Sequence, residues 1–276
     1  MNRFQYTTLA CLLVASSSAW SYSTSVEAGA SAGFSSGNSL DSELNRDARI
    51  DHPSLASALA TAEGYAASAF AYADAGVLKA YAAANVENGI LNSTANAKSI
   101  FSDTIKLTGS GNARFIQILL NFKVEGGISG IGAASGFVEL SGSHGKIDFT
   151  QNYYSSPAYS CGTWSGDTGA CDGSSIFWVP TNTELTISGL LQVGATADGY
   201  GGLFDPDKRR AVTDFSHTAL TFISVLDPNY QLTSQSGYSY APVPLPPALA
   251  LFAAGLTALM PKRWVRFALR LNRSLV

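Results

Sequence analysis

The stretch 115–124 (FIQILLNFKV) decides the fold class, because its apolar residues recur at every second position. These residues are Ile116, Ile118, Leu120, Phe122 and Val124, and Gln117, Asn121 and Lys123 stand between them. Successive side chains of a β-strand point to opposite faces, so this spacing places the apolar set on one face. We therefore predict a half-buried strand that ends at Glu125-Gly126-Gly127.

The same alternation recurs after Ser99, in runs separated by Gly, Asn, Pro and Ser. The apolar members are Val138 and Leu140, Ile147 and Phe149, Leu220 and Phe222, and the set Leu185, Ile187, Leu191 and Val193. Short strands of this kind bury their apolar faces when two antiparallel sheets pack together. The sequence thus predicts an all-β body over 54–240, in the form of an antiparallel, jelly-roll-like β-sandwich.

The start of this body, 54–88, is rich in alanine and is compatible with two structures. Alanine has the highest intrinsic helix propensity, which favours a helix. The stretch also alternates, with Phe70 and Tyr72 on one face and alanines on the other, and Asp74-Ala75-Gly76 interrupts it as a turn does. Two paired strands are the preferred interpretation, and the helix remains the alternative.

Two segments precede the body. Residues 1–21 combine Arg3, an apolar core and small residues near their end, which is the pattern of a secretory signal peptide. Residues 22–53 are rich in Ser, Gly, Ala and Asp and contain few large apolar side chains. Such a composition offers little apolar surface to bury, so we expect a flexible segment there.

Residues 241–276 carry three features in a fixed order. Prolines dominate 241–247, an uncharged apolar run that predicts a single transmembrane helix fills 248–260, and a basic end occupies 262–273. The basic cluster contains Lys262, Arg263, Arg266 and Arg270. Cationic residues beside an apolar helix stay on the cytoplasmic side of a membrane. These features alone predict a plain C-terminal membrane anchor.

The order of these features resembles the PEP-CTERM sorting tail of envelope proteins, in the variant with Leu between the prolines, here Val243, Pro244, Leu245 and Pro246. The resemblance implies an exosortase-type processing enzyme as a partner and transient anchoring in the inner membrane. It further implies delivery to the cell envelope or extracellular matrix, and a structural or adhesive role together with exopolysaccharide. The alternative is a secreted carbohydrate-binding module with a plain C-terminal membrane anchor.

The body resembles a type that is commonly attached to this tail and has no established activity. The resemblance rests on the alanine-rich start and on three short strings. These are Phe101-Ser102-Asp103-Thr104, Asp214-Phe215-Ser216-His217-Thr218-Ala219 and Ser234-Gln235-Ser236-Gly237-Tyr238.

Two cysteines remain once Cys11 is removed with the signal peptide. In an oxidising compartment an even number favours a disulfide, so we predict a Cys161–Cys171 bond across a turn-rich loop. Aromatic residues cluster around this loop, and they are the predicted ligand surface, because ring faces can stack on sugars. They are Tyr153, Tyr154, Tyr159 and Trp164.

Little in the sequence indicates catalysis, a cofactor or a metal. The imidazoles are His52, His144 and His217, and neither an HExxH nor a GxSxG motif occurs. Asp198, Asp205, Asp207 and Asp214 could bind calcium, but their spacing does not match an EF-hand loop. The stretch from Glu27 to Asp227 holds all 20 acidic residues and 11 basic ones, and this net charge of −9 argues against a nucleic-acid partner. We predict a non-enzymatic protein that needs no cofactor.

Overall fold

The structure, a computed structural model, describes residues 22–34, 39–142, 145–154 and 168–242. These residues form thirteen β-strands and two short 3-10 helices. The strands make two antiparallel sheets that pack face to face around one core, so the predicted antiparallel β-sandwich is confirmed. The described part of the chain contains no helix with the length and hydrophobicity that membrane crossing requires.

The first sheet has seven strands. Their order is β2 (Asp41–Ile50), β1 (Tyr22–Phe34), β6 (Asn92–Gly109), β11 (Glu184–Ala197), β8 (Ile131–Gly142) and β9 (Gly145–Tyr154), and β13 (Tyr230–Ser234) also pairs with β6. β6 is 18 residues long and therefore accommodates two partners on one side. β1 pairs with it as far as Asp103, and β13 continues from Ile105.

The second sheet has six strands. Their order is β10 (Thr168–Pro180), β7 (Phe115–Ser129), β12 (Arg210–Val225), β5 (Val77–Val86), β4 (Tyr65–Asp74) and β3 (Ser54–Ala62). The 3-10 helices Gly201–Leu203 and Pro206–Arg209 lie in the connection from β11 to β12. The chain divides at Tyr240 into two compact units, and the sandwich belongs to the first.

The alternating apolar residues predicted in β7, β8 and β11 form the core. Those buried are Ile116, Ile118, Leu120, Phe122, Val124, Val138, Leu140, Leu185, Ile187, Leu191 and Val193. Leu220 and Phe222 do share a face, but it is the outer one, because their neighbours Ala219, Thr221 and Ile223 point into the core. The opposite sheet therefore covers the face of β12 that carries Ala219, Thr221 and Ile223.

β7 does not end where the sequence predicts. It continues through Gly126 to Ser129, and Ile128 is buried. The reason lies in β12, whose pairing with β7 is irregular between Asp214 and Thr218. The ring of Phe215 fills the place that a side chain at Gly126 would take. Gly126 therefore leaves room for the Phe215 ring, and β7 continues through Gly126 and Gly127 without ending.

The alanine-rich stretch forms strands, as preferred, but three of them: β3, β4 and β5. Most of their alanines face the core. The buried set includes Ala56, Ala58, Ala60, Ala67, Ala69, Ala71, Ala73, Ala80, Ala82 and Ala84. β1 contacts β3 and β4, and β6 contacts β4 and β5, so the two sheets meet across these alanines. Close packing with small side chains brings the facing sheets near each other.

The prediction of a flexible segment over 22–53 is wrong, because its described residues form β1 and β2. β1 buries Val26, Ala28 and Ala30 against the alanine face of the second sheet. Large apolar residues are not needed where the opposite face is itself made of alanine. The low hydrophobicity of this segment therefore matches its place in the sandwich.

β2 explains the polar part of the same segment. β3 is the edge strand of the second sheet, and three carboxylates of β2 accept hydrogen bonds from its backbone N–H groups. The pairs are Asp47 with Leu55 at 3.2 Å, Glu43 with Leu59 at 2.6 Å and Asp41 with Thr61 at 2.8 Å. Asn45 donates to the Ser57 carbonyl oxygen at 2.6 Å. Uncovered strand edges promote pairing with other chains, so these side chains close one edge of the sandwich.

Candidate functional site

An open groove of about 260 Å³ lies on the outer face of the second sheet. It crosses β3, β4, β5 and the beginning of β12, and its lining includes Tyr81, Asn85 and Arg210. Strand register explains its shape. Leu59, Ser68, Ala83 and Val212 are successive neighbours across the four strands and form a row along the floor.

Two further rows flank the floor, each two residues away along the strands, or about 7 Å. On one side stand Ala66, Asn85 and Arg210, and on the other Phe70, Tyr81 and Asp214. In the middle of the floor, the small side chains of Ser68 and Ala83 thus lie between an aromatic wall and a polar wall. No single strand contains this arrangement, because β4, β5 and β12 each contribute one residue to each row, and β3 contributes Leu59 to the floor.

The alanine core determines which side chains reach this surface. Because most alanines of β4 and β5 face inward, Phe70 and Tyr72 of β4 and Tyr81 of β5 face outward and are half-buried. Sequence reasoning recognised the two faces of β4 but did not assign the alanine face to the core, and it therefore missed the groove. Alternation of alanine with aromatic residues was the signal that could have found it.

Arg210 is the charged group of the polar wall. Its side chain is exposed, and among the described residues no carboxylate forms an ion pair with it. Its neighbour Arg209 differs, because it donates hydrogen bonds to the carbonyl oxygens of Gly202 and Glu87. Arg209 holds the connection between β11 and β12, whereas the guanidinium of Arg210 is available at the groove.

Beyond the aromatic wall, the neighbouring side chains are engaged with one another. Asp214 accepts hydrogen bonds from the backbone N–H of Ser216 at 2.9 Å and from its hydroxyl at 2.6 Å. The Lys79 ammonium lies 5.9 Å from the centre of the Tyr72 ring, within the range of a cation–π contact. These contacts fix the surface around the groove.

The predicted ligand surface is elsewhere. Tyr153 and Tyr154 belong to β9, paired with Ala134 and Ala133, and their side chains lie outside the described part. Tyr159 and Trp164 also lie outside the described residues. Cys171 is in β10 opposite Val124, whereas Cys161 is outside, so the disulfide stays a prediction. The same holds for residues 1–21 and for the tail from Val243 onward, including the motif and the basic cluster.

The aspartates considered as calcium ligands have local structural roles. Asp198 accepts a hydrogen bond from the backbone N–H of Gly201 at 2.9 Å, and Asp205 accepts one from that of Asp207 at 3.2 Å. Asp214 is bound to Ser216. In the described ranges, no group of three or more His, Cys, Asp or Glu residues could hold a metal ion.

A buried polar cluster, which we call the latch, consists of Asp103, Ser234, Ser236 and Tyr240. Asp103 is 2% exposed and accepts hydrogen bonds from the three hydroxyls at 2.9, 2.6 and 2.9 Å. Burial, and then the charge of Asp103, raise the pKa of the Tyr240 hydroxyl. The Tyr240 carbonyl oxygen accepts from the Ile223 N–H at 2.7 Å. The latch therefore holds the segment that follows β13 of the first sheet in contact with β12 of the second sheet.

Three other tyrosines surround Asp74. Burial, followed by the Asp74 charge, raises the pKa of Tyr22 to about 12. The same causes raise the pKa of Tyr72 and of Tyr238. The hydroxyl forms are thus favoured, and one carboxylate links the start of β1 to the segment after β13. These tyrosines are grouped around Asp74, whereas Tyr81 lines the groove.

No protein-family model and no curated protein matches this chain. The basis for a function is therefore the groove, together with the segments at the two ends of the chain.

Proposed function

We propose that this chain is an exported, non-enzymatic protein of the cell envelope or extracellular matrix that associates with exopolysaccharide in a structural or adhesive role. The observation that carries the proposal is the groove, where Tyr81 stands on one side of the floor and Asn85 and Arg210 stand on the other. A sugar presents apolar ring faces and hydroxyl groups together. An aromatic surface with a few hydrogen-bonding groups complements both.

The form of the groove favours a polymer. It spans four adjacent strands, three inter-strand spacings or about 14 Å, and is open to solvent. The residues that line it include neither a carboxylate nor an imidazole, and the Asp214 carboxylate in the row of Tyr81 is outside the lining and accepts hydrogen bonds from Ser216. Glycoside hydrolysis uses a pair of carboxylates, and general acid–base catalysis most often uses histidine. This lining supports binding without turnover.

Replacing Tyr81 with Ala should weaken polysaccharide binding about tenfold or more, since the aromatic wall provides the stacking surface. The measurement is affinity electrophoresis of the full chain in gels that contain dextran, hydroxyethyl cellulose or polygalacturonate. Wild-type protein should be retarded by at least one polymer, and Tyr81→Ala should lose that retardation.

Tyr200→Ala is the matched control, because Tyr200 is 64% exposed and makes an edge-to-face contact with Phe204, and neither residue lines the groove. It should migrate like the wild type in every gel. Equal retardation of wild type and Tyr81→Ala would remove the groove from the proposal, and no retardation by any polymer would contradict polysaccharide association.

Export and sorting belong to the same proposal. Residues 1–21 act as the signal peptide, 248–260 as a temporary transmembrane helix, and 243–246 as the site that the exosortase-type enzyme recognises. What supports this is the position of the latch. Tyr240 is 1% exposed, whereas Ala241 and Pro242 are exposed, so cleavage after Tyr240 would remove no core residue. The sandwich can therefore remain folded when the tail is cut.

Replacing both Pro244 and Pro246 with Ala should leave uncleaved protein in the inner membrane. The apolar run survives this change, so a plain anchor would behave like the wild type, whereas a sorting signal would lose its recognition motif. Cell fractionation and mass spectrometry of the C-terminus, in a host with a matching exosortase, provide the measurement. Intact Val276 in all mature wild-type protein would contradict processing and favour the carbohydrate-binding module with a plain anchor.

A further inference from the structure

The groove is positively charged, at Arg210, whereas the body of the protein is negatively charged. The stretch from Glu27 to Asp227 has 20 acidic and 11 basic residues, a net charge of −9. The described ion pairs use Arg46, Arg49 and Lys123, all away from the groove lining. Arg210 makes no such pair within the described part and stands at one wall of the groove. A local cation on an acidic body indicates a specific anionic ligand group, because a general attraction for polyanions is absent.

The positions of the charged residues across the groove determine which end of the groove takes the anionic group of the ligand. Arg210 lies in the row on one side of the floor, and Asp214 lies in the row on the other side, next to Tyr81. The two positions are four residues apart along β12, or about 13 Å. The Asp214 carboxylate disfavours an anionic group beside Tyr81, and Lys79 lies over the Tyr72 ring, outside the groove lining. The anionic group is therefore favoured at the Arg210 end, and the neutral part of the same ligand lies toward Tyr81.

We propose that the groove binds a carboxylated polysaccharide, with the carboxylate of a uronic acid unit on Arg210. This inference rests on the proposed function, which it narrows to one class of polymer. The planar guanidinium matches a carboxylate through two parallel hydrogen bonds. The Asn85 amide is the neighbour of Arg210 across the strands and binds a hydroxyl of the same unit, while the Tyr81 ring stacks on the next sugar face.

Polygalacturonate and its methyl ester test the proposal, because they share a backbone and differ in charge. Isothermal titration of the full chain in mild detergent should show wild-type protein binding polygalacturonate at least tenfold more tightly than the ester. Arg210→Gln should lose about tenfold in affinity for polygalacturonate, as expected for one charge-assisted contact. The same variant should bind the ester as the wild type does.

Lys208→Gln is the matched control, since it removes one positive charge two residues away. The Lys208 side chain lies beside Gly201 and is not part of the groove lining. It should leave both affinities unchanged, and an equal loss for Lys208→Gln and Arg210→Gln would overturn a specific contact.

Two other results would overturn the inference: equal affinity of the wild type for the acid and the ester, or full affinity of Arg210→Gln for the acid. If the wild type binds only the neutral polymers dextran or hydroxyethyl cellulose, the carboxylate assignment fails and polysaccharide association stands. If the wild type binds no polymer, both the carboxylate assignment and polysaccharide association fail.

Discussion

Replacing Asp103 with Ala should lower the free energy of unfolding by about 3 kcal/mol, because the buried Tyr240 hydroxyl and two half-buried serine hydroxyls would lose their acceptor. Asp103 is 2% exposed and binds the hydroxyls of Ser234, Ser236 and Tyr240. A single carboxylate is thus the common partner of the latch. Urea denaturation of the wild type and the variant measures the difference, through the shift in midpoint at unchanged slope.

A local measurement separates loss of the latch from general damage. The Ile223 N–H donates to the Tyr240 carbonyl oxygen, so its hydrogen exchange should become faster in Asp103→Ala. Asp227→Ala is the control, because Asp227 is a half-buried turn residue whose carboxylate accepts from the backbone N–H of Asn229, away from the latch. It should cost about 0.5 kcal/mol. An unchanged midpoint and unchanged exchange at Ile223 would show that the latch does not stabilise the fold.

Ala82→Leu is the second substitution with a large expected effect, a loss of about 3 kcal/mol. Ala82 is 0% exposed and lies between Ala69 and Thr213 on the core face of the second sheet. β5 contacts β6 and β11 of the facing sheet. Added methylene groups in a closely packed core force side chains and backbone to shift, which typically costs 1–3 kcal/mol and occasionally more, so we expect about 3 here.

The adjacent residue provides a matched control. Ala83 points to the outer face, is half-buried and forms part of the groove floor. Ala83→Leu should change the free energy of unfolding by only about 0.5 kcal/mol, yet weaken polysaccharide binding by filling the groove. Thermal or urea unfolding of the two variants checks the assignment. Greater destabilisation by Ala83→Leu than by Ala82→Leu would mean that the faces of β5 are reversed.

Strand content and fold class could be predicted because they depend on local periodicity. In β7, β8 and β11, apolar residues occupy one face and mostly polar or small residues the other, so alternation alone identifies the buried side. The strand interpretation of the alanine-rich stretch rested on the same period. The end of β7 was missed because Gly126 accommodates Phe215 from a strand nearly 90 residues later, a contact that no local pattern contains.

Segment 22–53 was misjudged for a different reason. Composition was compared with that of an ordinary core, whereas the core at this end is built from alanine, and β1 needs only Val26 and small residues to fill it. β2 is polar because its side chains meet the edge of β3 and not an apolar layer. Both strands match their surroundings, and those surroundings exist only after the sheets have packed.

By itself, the sequence determined that this protein is built from alternating strands, that its body is acidic, and that its ends differ from the body in composition. The tertiary structure alone decided which face of β4 and β5 is inside, because both faces carry apolar residues and only the short distance between sheets excludes the aromatic side. The tertiary structure also buries Asp103 and brings it into hydrogen bonds with hydroxyls that are 131 to 137 residues away in the sequence. The groove likewise depends on register, which aligns Leu59 of β3 with Val212 of β12 through two intervening strands.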